Sequence, residues 1–310
     1  MDEDGSLRRT VDHRDIVGRL SRAERRSLLR RSDLRGLVHL AGHLAALGVT
    51  GSLIALEVPG WPILLLPHGI LLVFLFCLQH EVVHRTPFRS NRLNTVAAWA
   101  AGLVSILPPA WFHHFHMAHH RYTHDPARDP ELAKPPPKSK PGLVWTVAGG
   151  PYWMGQVRTL LSNAAGRNRD AFVPPQARSA VVREARLFLA AYLAAAGLSV
   201  LCGATALLWY WLIPALLGQP FLRLYLLAEH TGCPHVPNML QNTRTTFTNA
   251  AVRFIAWNMP YHVEHHVYPA VPFHKLPMLN AMMRSDLIIT ANGYRAAAQA
   301  IIPAILRGQA

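Results

Sequence analysis

The chain predicts an all-α integral membrane protein: four transmembrane helices in two hairpins, a re-entrant segment, and a histidine-rich cap on the cytoplasmic side. Three observations predict it. Hydrophobic residues make up 51% of the 310, and they gather into runs of about 20, the length a helix needs to cross a bilayer core. The cations avoid the short connections between those runs. Eight histidines fall into three tight groups: His80-Glu81-Val82-Val83-His84, His116-Met117-Ala118-His119-His120, and His262-Val263-Glu264-His265-His266.

The elements follow in chain order. Residues 1–35 form an Arg-rich cytoplasmic segment with no apolar core or cleavage site of a secretory signal, so insertion is expected from internal segments. Spans are expected at about 36–56, 61–79, 187–206 and 207–228. Glu57-Val58-Pro59-Gly60 joins the first pair and the region from Gly203 to Trp209 the second, and connections this short favour antiparallel hairpins. Ten Arg precede residue 36, three lie in Arg85–Arg92, eleven Lys or Arg lie between Arg121 and Arg186, and seven lie from Arg223 onward. The two hairpin connections hold none. This positive-inside pattern places both termini and the long middle segment in the cytoplasm.

Residues 93–112 are also apolar and long enough to span. Arginines on both flanks and the Pro108-Pro109 break favour a re-entrant segment that returns to its starting face. All three histidine groups then share the cytoplasmic side. The excursion from Ala127 to Gln176 carries Pro135-Pro136-Pro137-Lys138, and its apolar stretch with Trp145, Tyr152 and Trp153 reads as an interfacial aromatic helix. The membrane domain is expected over 36–279, with a cytoplasmic helix or tail over 280–310. The net charge of +14 reports this topology and attraction to anionic lipid, not nucleic acid. Cys77, Cys202 and Cys233 have no metal or redox spacing and imply no disulfide framework. His39, His43 and His68 lie in apolar runs and read as hydrogen-bonded histidines inside the bundle.

On a helix, residues three and four apart share a face, so each group aims two or three imidazoles at one point. Imidazole is a common ligand of iron, zinc and copper, and eight exceed the four ligands of a closed zinc site. They suit a pair of metal ions. Taken alone, His80-Glu81-Val82-Val83-His84 matches the HExxH pattern of zinc peptidases, with Glu81 as base. That reading leaves the two HxxHH groups without a task. A membrane haem carrier is disfavoured because the groups cluster at span ends and in cytoplasmic segments.

Pooled, the groups resemble the membrane-bound fatty acid desaturase and hydroxylase superfamily, with its HxxxH, HxxHH and HxxHH boxes. The resemblance runs from about Gly36 to Leu279. It extends to HHRYTHDPARDPEL at 119–132, AEHTG at 228–232, NTRTT at 242–246 and WNMPYHVEHHVYPAVPFHKLP at 257–277. It implies a non-haem di-iron site with O2 as co-substrate and nine ligands: His80, His84, His116, His119, His120, His262, His265 and His266, with His230 after the fourth span. Some relatives carry an asparagine one turn before that last ligand; here the position is Leu226. Each imidazole needs a partner at its other nitrogen to hold it in orientation, and Glu81, Asp125, Asp129, Glu229, Asn258 and Glu264 are the nearby candidates. Asn258, four before His262, could share its helical face. His113, His114, His124, His235 and His274 fall outside the box pattern. Arg121 and Tyr122 are placed to contact an acidic head group or to form a structural salt bridge.

The resemblance implies O2-dependent oxidation of a lipid acyl chain. Desaturation is favoured; hydroxylation and carotenoid-type oxygenation would use the same ligands. The chain holds no haem-binding module, cysteine cluster or GxGxxG fold. Electrons are therefore expected from an external ferredoxin or cytochrome b5-like donor, which a basic cytoplasmic face would attract.

Overall fold

The structure is a computed structural model that describes residues 11–133, 137 and 139–308. The expected proline run at 135–138 falls mostly outside the described residues, as do residues 1–10 of the N-terminal segment. The described chain is largely helical. Its helices are α1 (His13–Arg19), α2 (Arg22–Leu28), α3 (Asp33–Ala55), α4 (Trp61–Val73), α5 (Leu75–Val83), α6 (Asn91–Ser105), α7 (Pro109–Tyr122), α8 (Lys140–Val147) and α9 (Gly150–Ala164). There follow α10 (Arg178–Leu201), α11 (Ile213–His230), α12 (Met239–Asn242), α13 (Ala250–Ile255), α14 (His262–Val267), α15 (Leu276–Met283) and α16 (Tyr294–Leu306).

Four helical stretches are long and apolar enough to cross a membrane. They contain α3, α4 with α5, α10, and α11 with the π turn before it. Local chemistry sets their ends. The Ser32 hydroxyl accepts from Arg35 N at the start of α3. α4 begins after Gly60, whose φ of 82° suits glycine, with a proline in its first turn. The expected third span begins at 187, but α10 reaches back to Arg178 because Val181, Ala185 and Phe188 repeat at helical spacing and are buried. They pack against Leu107, Trp111, Phe112 and Leu160.

α6 and α7 meet at 92°. Ile106 ends α6 in the left-handed region, at φ 54°, and Pro109 opens α7 at a position where its missing N–H costs nothing. The bend falls at the Pro108-Pro109 break, and a right angle there fits either a broken span or a segment that turns back.

Helix partners differ in part from the sequence expectation. α3 lies against α4, but the most extensive contact of α11 is with α4, and that of α10 is with α9. Small residues explain the first of these crossings. A Cβ on Gly69 of α4 would sit 1.9 Å from the Pro214 carbonyl oxygen, and one on Gly218 would sit 2.3 Å from Gly69. α3 and α10 stay on the outside, exposing Val38, Val49, Leu193, Leu198 and Val200. Apolar residues presented this way suit contact with lipid.

His39, His43 and His68 bind within the bundle as expected. Their Nε2 atoms lie 2.8 Å from the Phe254 carbonyl, 2.8 Å from that of Leu71 and 3.2 Å from that of Tyr210. Two features depart from an all-α chain with a separate tail. Thr245–Phe247 (β1) pairs in parallel with Thr290–Asn292 (β2). α16 then returns to pack on α11, burying Ala297, Ile301 and Ile305. The expected boundary at 279/280 falls inside α15, whose Leu279 and Met283 are fully buried.

Candidate metal centre

The first histidine group closes α5, the second fills the last two turns of α7, and the third is α14 itself. His230 is the last residue of α11. These four helix segments bring all nine expected ligands together. His80, His116, His120 and His265 hold their ligand nitrogens within 4.8 Å of one another, and so do His119, His230 and His266. The remaining two join one cluster each. His84 Nε2 lies 2.9 Å from His116 Nε2, and His262 Nε2 lies 3.1 Å from His230 Nε2 and 3.2 Å from His266 Nε2. The first cluster is laced in the same way, with His120 Nε2 3.0 Å from His116 Nε2 and 3.1 Å from His265 Nε2.

These separations suit ligands of a common ion. Two nitrogens at about 2.0–2.1 Å from one metal, at right angles, stand about 3 Å apart. The proton positions point the same way. His230 Nδ1 lies 3.1 Å from the Asn242 carbonyl, which only accepts, so Nδ1 carries the proton. His119 Nδ1 lies 3.0 and 3.1 Å from the two oxygens of Asp129. The Thr123 hydroxyl donates to the His119 carbonyl at 2.8 Å, so at 3.3 Å it accepts from His266 Nδ1. In the neutral ring, Nε2 of all three is then a bare lone pair. Three such lone pairs converging in a buried site repel one another unless a cation sits between them. The donor set fits a metal ion.

Burial favours the neutral form of most of the rings, pushing His262, His265 and His266 well below the usual imidazole range, and His84 down to about 3. His119 differs: burial lowers it, but Glu131 and Asp129 outweigh that and raise it. For Asp129, burial pushes the carboxyl up, but His119 and the N–H groups of His124 and Glu131 outweigh it and hold the group ionised.

The expected partners divide. Asp129 supports His119. Glu229 Oε1 lies 3.4 Å from His262 Nδ1, and Glu81 Oε1 lies 3.9 Å from His265 Nδ1. Glu81 is fully buried, and its other oxygen accepts from Thr86 Oγ1 at 2.8 Å and Phe273 N at 3.1 Å. That enclosure leaves it poorly placed as the water-activating base a peptidase needs. Glu264 accepts from Thr245 and Asn280, anchoring α14 without touching an imidazole. Asp125 turns outward to Arg128 and Ala127 N. Asn258 does not share a helical face with His262. Its φ of 57° places it in the turn between α13 and α14, where its amide donates to the Phe273 carbonyl at 3.1 Å.

Outside the boxes, His124 Nδ1 and His235 Nδ1 each pair with a backbone carbonyl. Four residues that sequence reasoning assigned no role build the surroundings. Thr123 and Asn242 orient His266 and His230, and Thr245 anchors Glu264. Arg244 closes the C-terminus of α11, donating to the carbonyls of Ala228 at 2.7 Å and Thr231 at 3.0 Å. A cation at a helix C-terminus meets the orphan carbonyls there, which fixes the end bearing His230.

Comparison with known proteins agrees with this geometry. The family model described as fatty acid desaturase matches residues 56–295. Dihydrorhizobitoxine desaturase of Bradyrhizobium elkanii is 25% identical over 275 residues, covering 80% of this chain and 74% of that protein. The chain therefore belongs to the fatty acid desaturase family and, with helices able to span a membrane and a buried histidine centre, is a membrane oxidoreductase of desaturase type.

Proposed function

We propose that the chain is a multi-pass membrane enzyme that inserts a C=C bond into a lipid acyl chain, using two non-haem iron ions, O2 and an external electron donor. The reaction removes two hydrogens from adjacent carbons. With two electrons and two protons from outside, O2 leaves as two waters. The convergence of nine histidines into two clusters, three with their outward nitrogens committed as donors, carries this reading.

His80, His84, His116, His120 and His265 would hold one ion, and His119, His230, His262 and His266 the other. The iron pair, when bound, supplies the activation of O2 that an unactivated methylene requires. The protein's share is orientation. Asp129, Asn242 and Thr123 fix three rings through Nδ1, and a carboxylate there also raises the basicity of Nε2. Burial excludes water that would quench a reactive oxidant. The arginine distribution favours a centre on the cytoplasmic side with both termini, where a ferredoxin or cytochrome b5-like donor would dock on basic surface. The acyl chain would belong to a phospholipid, a thioester or another long hydrocarbon. The desaturase named among the relatives supports C=C formation over oxygen insertion.

The test is mass spectrometry of lipids from cells producing the chain with a reductase and donor. Products lighter by two hydrogens are expected, and they should vanish in His262→Ala, His265→Ala and His266→Ala variants that still insert. Products heavier by one oxygen would convert the reading to hydroxylation. Oxidation retained in those variants would overturn the ligand assignment.

A further inference from the structure

Away from the histidines, α4, α6, α9 and α11 close around a small cavity. Ser105, Tyr152, Trp153 and Gln219 line it together with apolar side chains such as Val73 and Leu222. Its free volume is about 10 Å³, room for about one oxygen-sized group. Three polar atoms of its lining residues are buried without a partner among the described residues: Ser105 Oγ, Trp153 Nε1 and Gln219 Nε2. Ser105 is 5% exposed and Gln219 1%. Two of the three, the indole N–H and the amide NH2, only donate.

Gln219 is held there by the neighbouring backbone. A Cβ on Gly149 would lie 2.3 Å from Gln219 Cγ, and Gly149 has φ 84°, so glycine is required on both counts. Trp153 has a second face. With Met154, Val157, Arg158 and Leu161 of α9 it lines an open apolar groove of about 570 Å³ on the outer surface. Met154, Val157 and Leu161 are exposed. One indole thus lines both an open apolar groove and the small interior cavity.

An all-hydrocarbon occupant would leave those donors unpaired, which is unfavourable in a buried site. An acceptor oxygen with two lone pairs satisfies two of them. The electrostatics select the type of oxygen. Arg223 stacks on Tyr152 at 4.3 Å, which makes the surroundings electropositive. Arg223 is not itself part of the lining, whose side chains are all uncharged, so an anion in the cavity would lose its water with no countercharge in contact. We propose that the cavity binds an uncharged acceptor oxygen, a carbonyl, ether or hydroxyl, carried by a hydrophobic substrate that enters from the groove past Trp153.

This site deepens the desaturase reading and rests on it for the word substrate, but its test is binding, independent of oxidation. The probes are hexadecane, the positional keto isomers of hexadecane, and the corresponding secondary alcohols. Each is presented to the detergent-purified, metal-loaded chain, and retention after gel filtration is measured by mass spectrometry against empty micelles. At least one ketone or alcohol should be retained roughly tenfold better than hexadecane, and Gln219→Leu should abolish the preference. If Gln219→Leu does not elute as a folded species, Ser105→Ala decides, with loss of preference again expected. Hexadecane held as well as every oxygenated probe would overturn the proposal, as would a preference unchanged in the variants. Turnover is scored separately with donor and O2. A preference without oxidation counts against the desaturase reading alone, and oxidation without a preference counts against the cavity alone.

Discussion

His119 and Asp129 form a buried imidazole–carboxylate pair, with Nδ1 3.0 and 3.1 Å from the two oxygens. Their side chains are 2% and 1% exposed, so water cannot replace either partner. Asp129→Ala should weaken metal binding at the cluster containing His230 and His266 by about 10–100-fold. Dialysis against a graded chelator with elemental analysis measures this. Retention equal to that of the parent would remove Asp129 from the account.

Arg244 acts on the same cluster at longer range. Arg244→Ala leaves the Ala228 and Thr231 carbonyls short of a donor and should cost about 1–3 kcal/mol. Lysine should rescue only partly, because one ammonium does not reproduce two N–H groups aimed at two carbonyls. The melting temperatures of the three proteins check this, and a full lysine rescue would argue that charge alone matters.

The crossing of α4 and α11 leaves no room at Gly218. Gly218→Val should overpack it by about 1–3 kcal/mol or more and reduce the monodisperse fraction in detergent. A Cβ on Gly48 of α3 would meet nothing within 4 Å, so Gly48→Ala is the matched control and should behave like the parent.

Acid should release the metal and destabilise the metal-free chain. Burial holds His84, His262, His265 and His266 below the value of about 6.5 that they have when unfolded. Between about pH 6.5 and 3 the unfolded chain therefore binds protons that the folded chain refuses. Their contribution is fully present above about pH 6.5 and is lost as pH falls below it, by up to about 1.4 kcal/mol per pH unit for each such histidine. A melting series of the metal-free protein from pH 8 to 5 should show falling stability. A flat series would mean that the rings are solvated.

Much of this was legible in the sequence because it rests on short-range periodicity. The apolar runs set the spans, and spacings of four put His80 with His84, His116 with His120 and His262 with His266, while His119 and His265, at spacings of three, turn to the other cluster. His230 stood alone and became visible only through the resemblance. The partners that orient His230 and His266 could not be read, because Asn242, Arg244 and Thr123 act on residues a dozen or more positions away in the chain. Asn258 was misplaced because helical spacing was carried across a turn, where positive φ breaks the period. The α4–α11 crossing depends on Gly69 and Gly218, which hydropathy treats as weakly apolar filler. Strands of three residues, such as Thr245–Phe247, are too short to show alternation.

The most direct measurement is the metal content of the detergent-purified chain, by elemental mass spectrometry with protein quantified on the same sample. Two clusters predict about two irons per chain in the parent and a clear loss in His230→Ala or His120→Ala. Two zinc ions would preserve the ligand set and change only the metal acquired. A single ion per chain, unaffected by those substitutions, would contradict the two-metal centre.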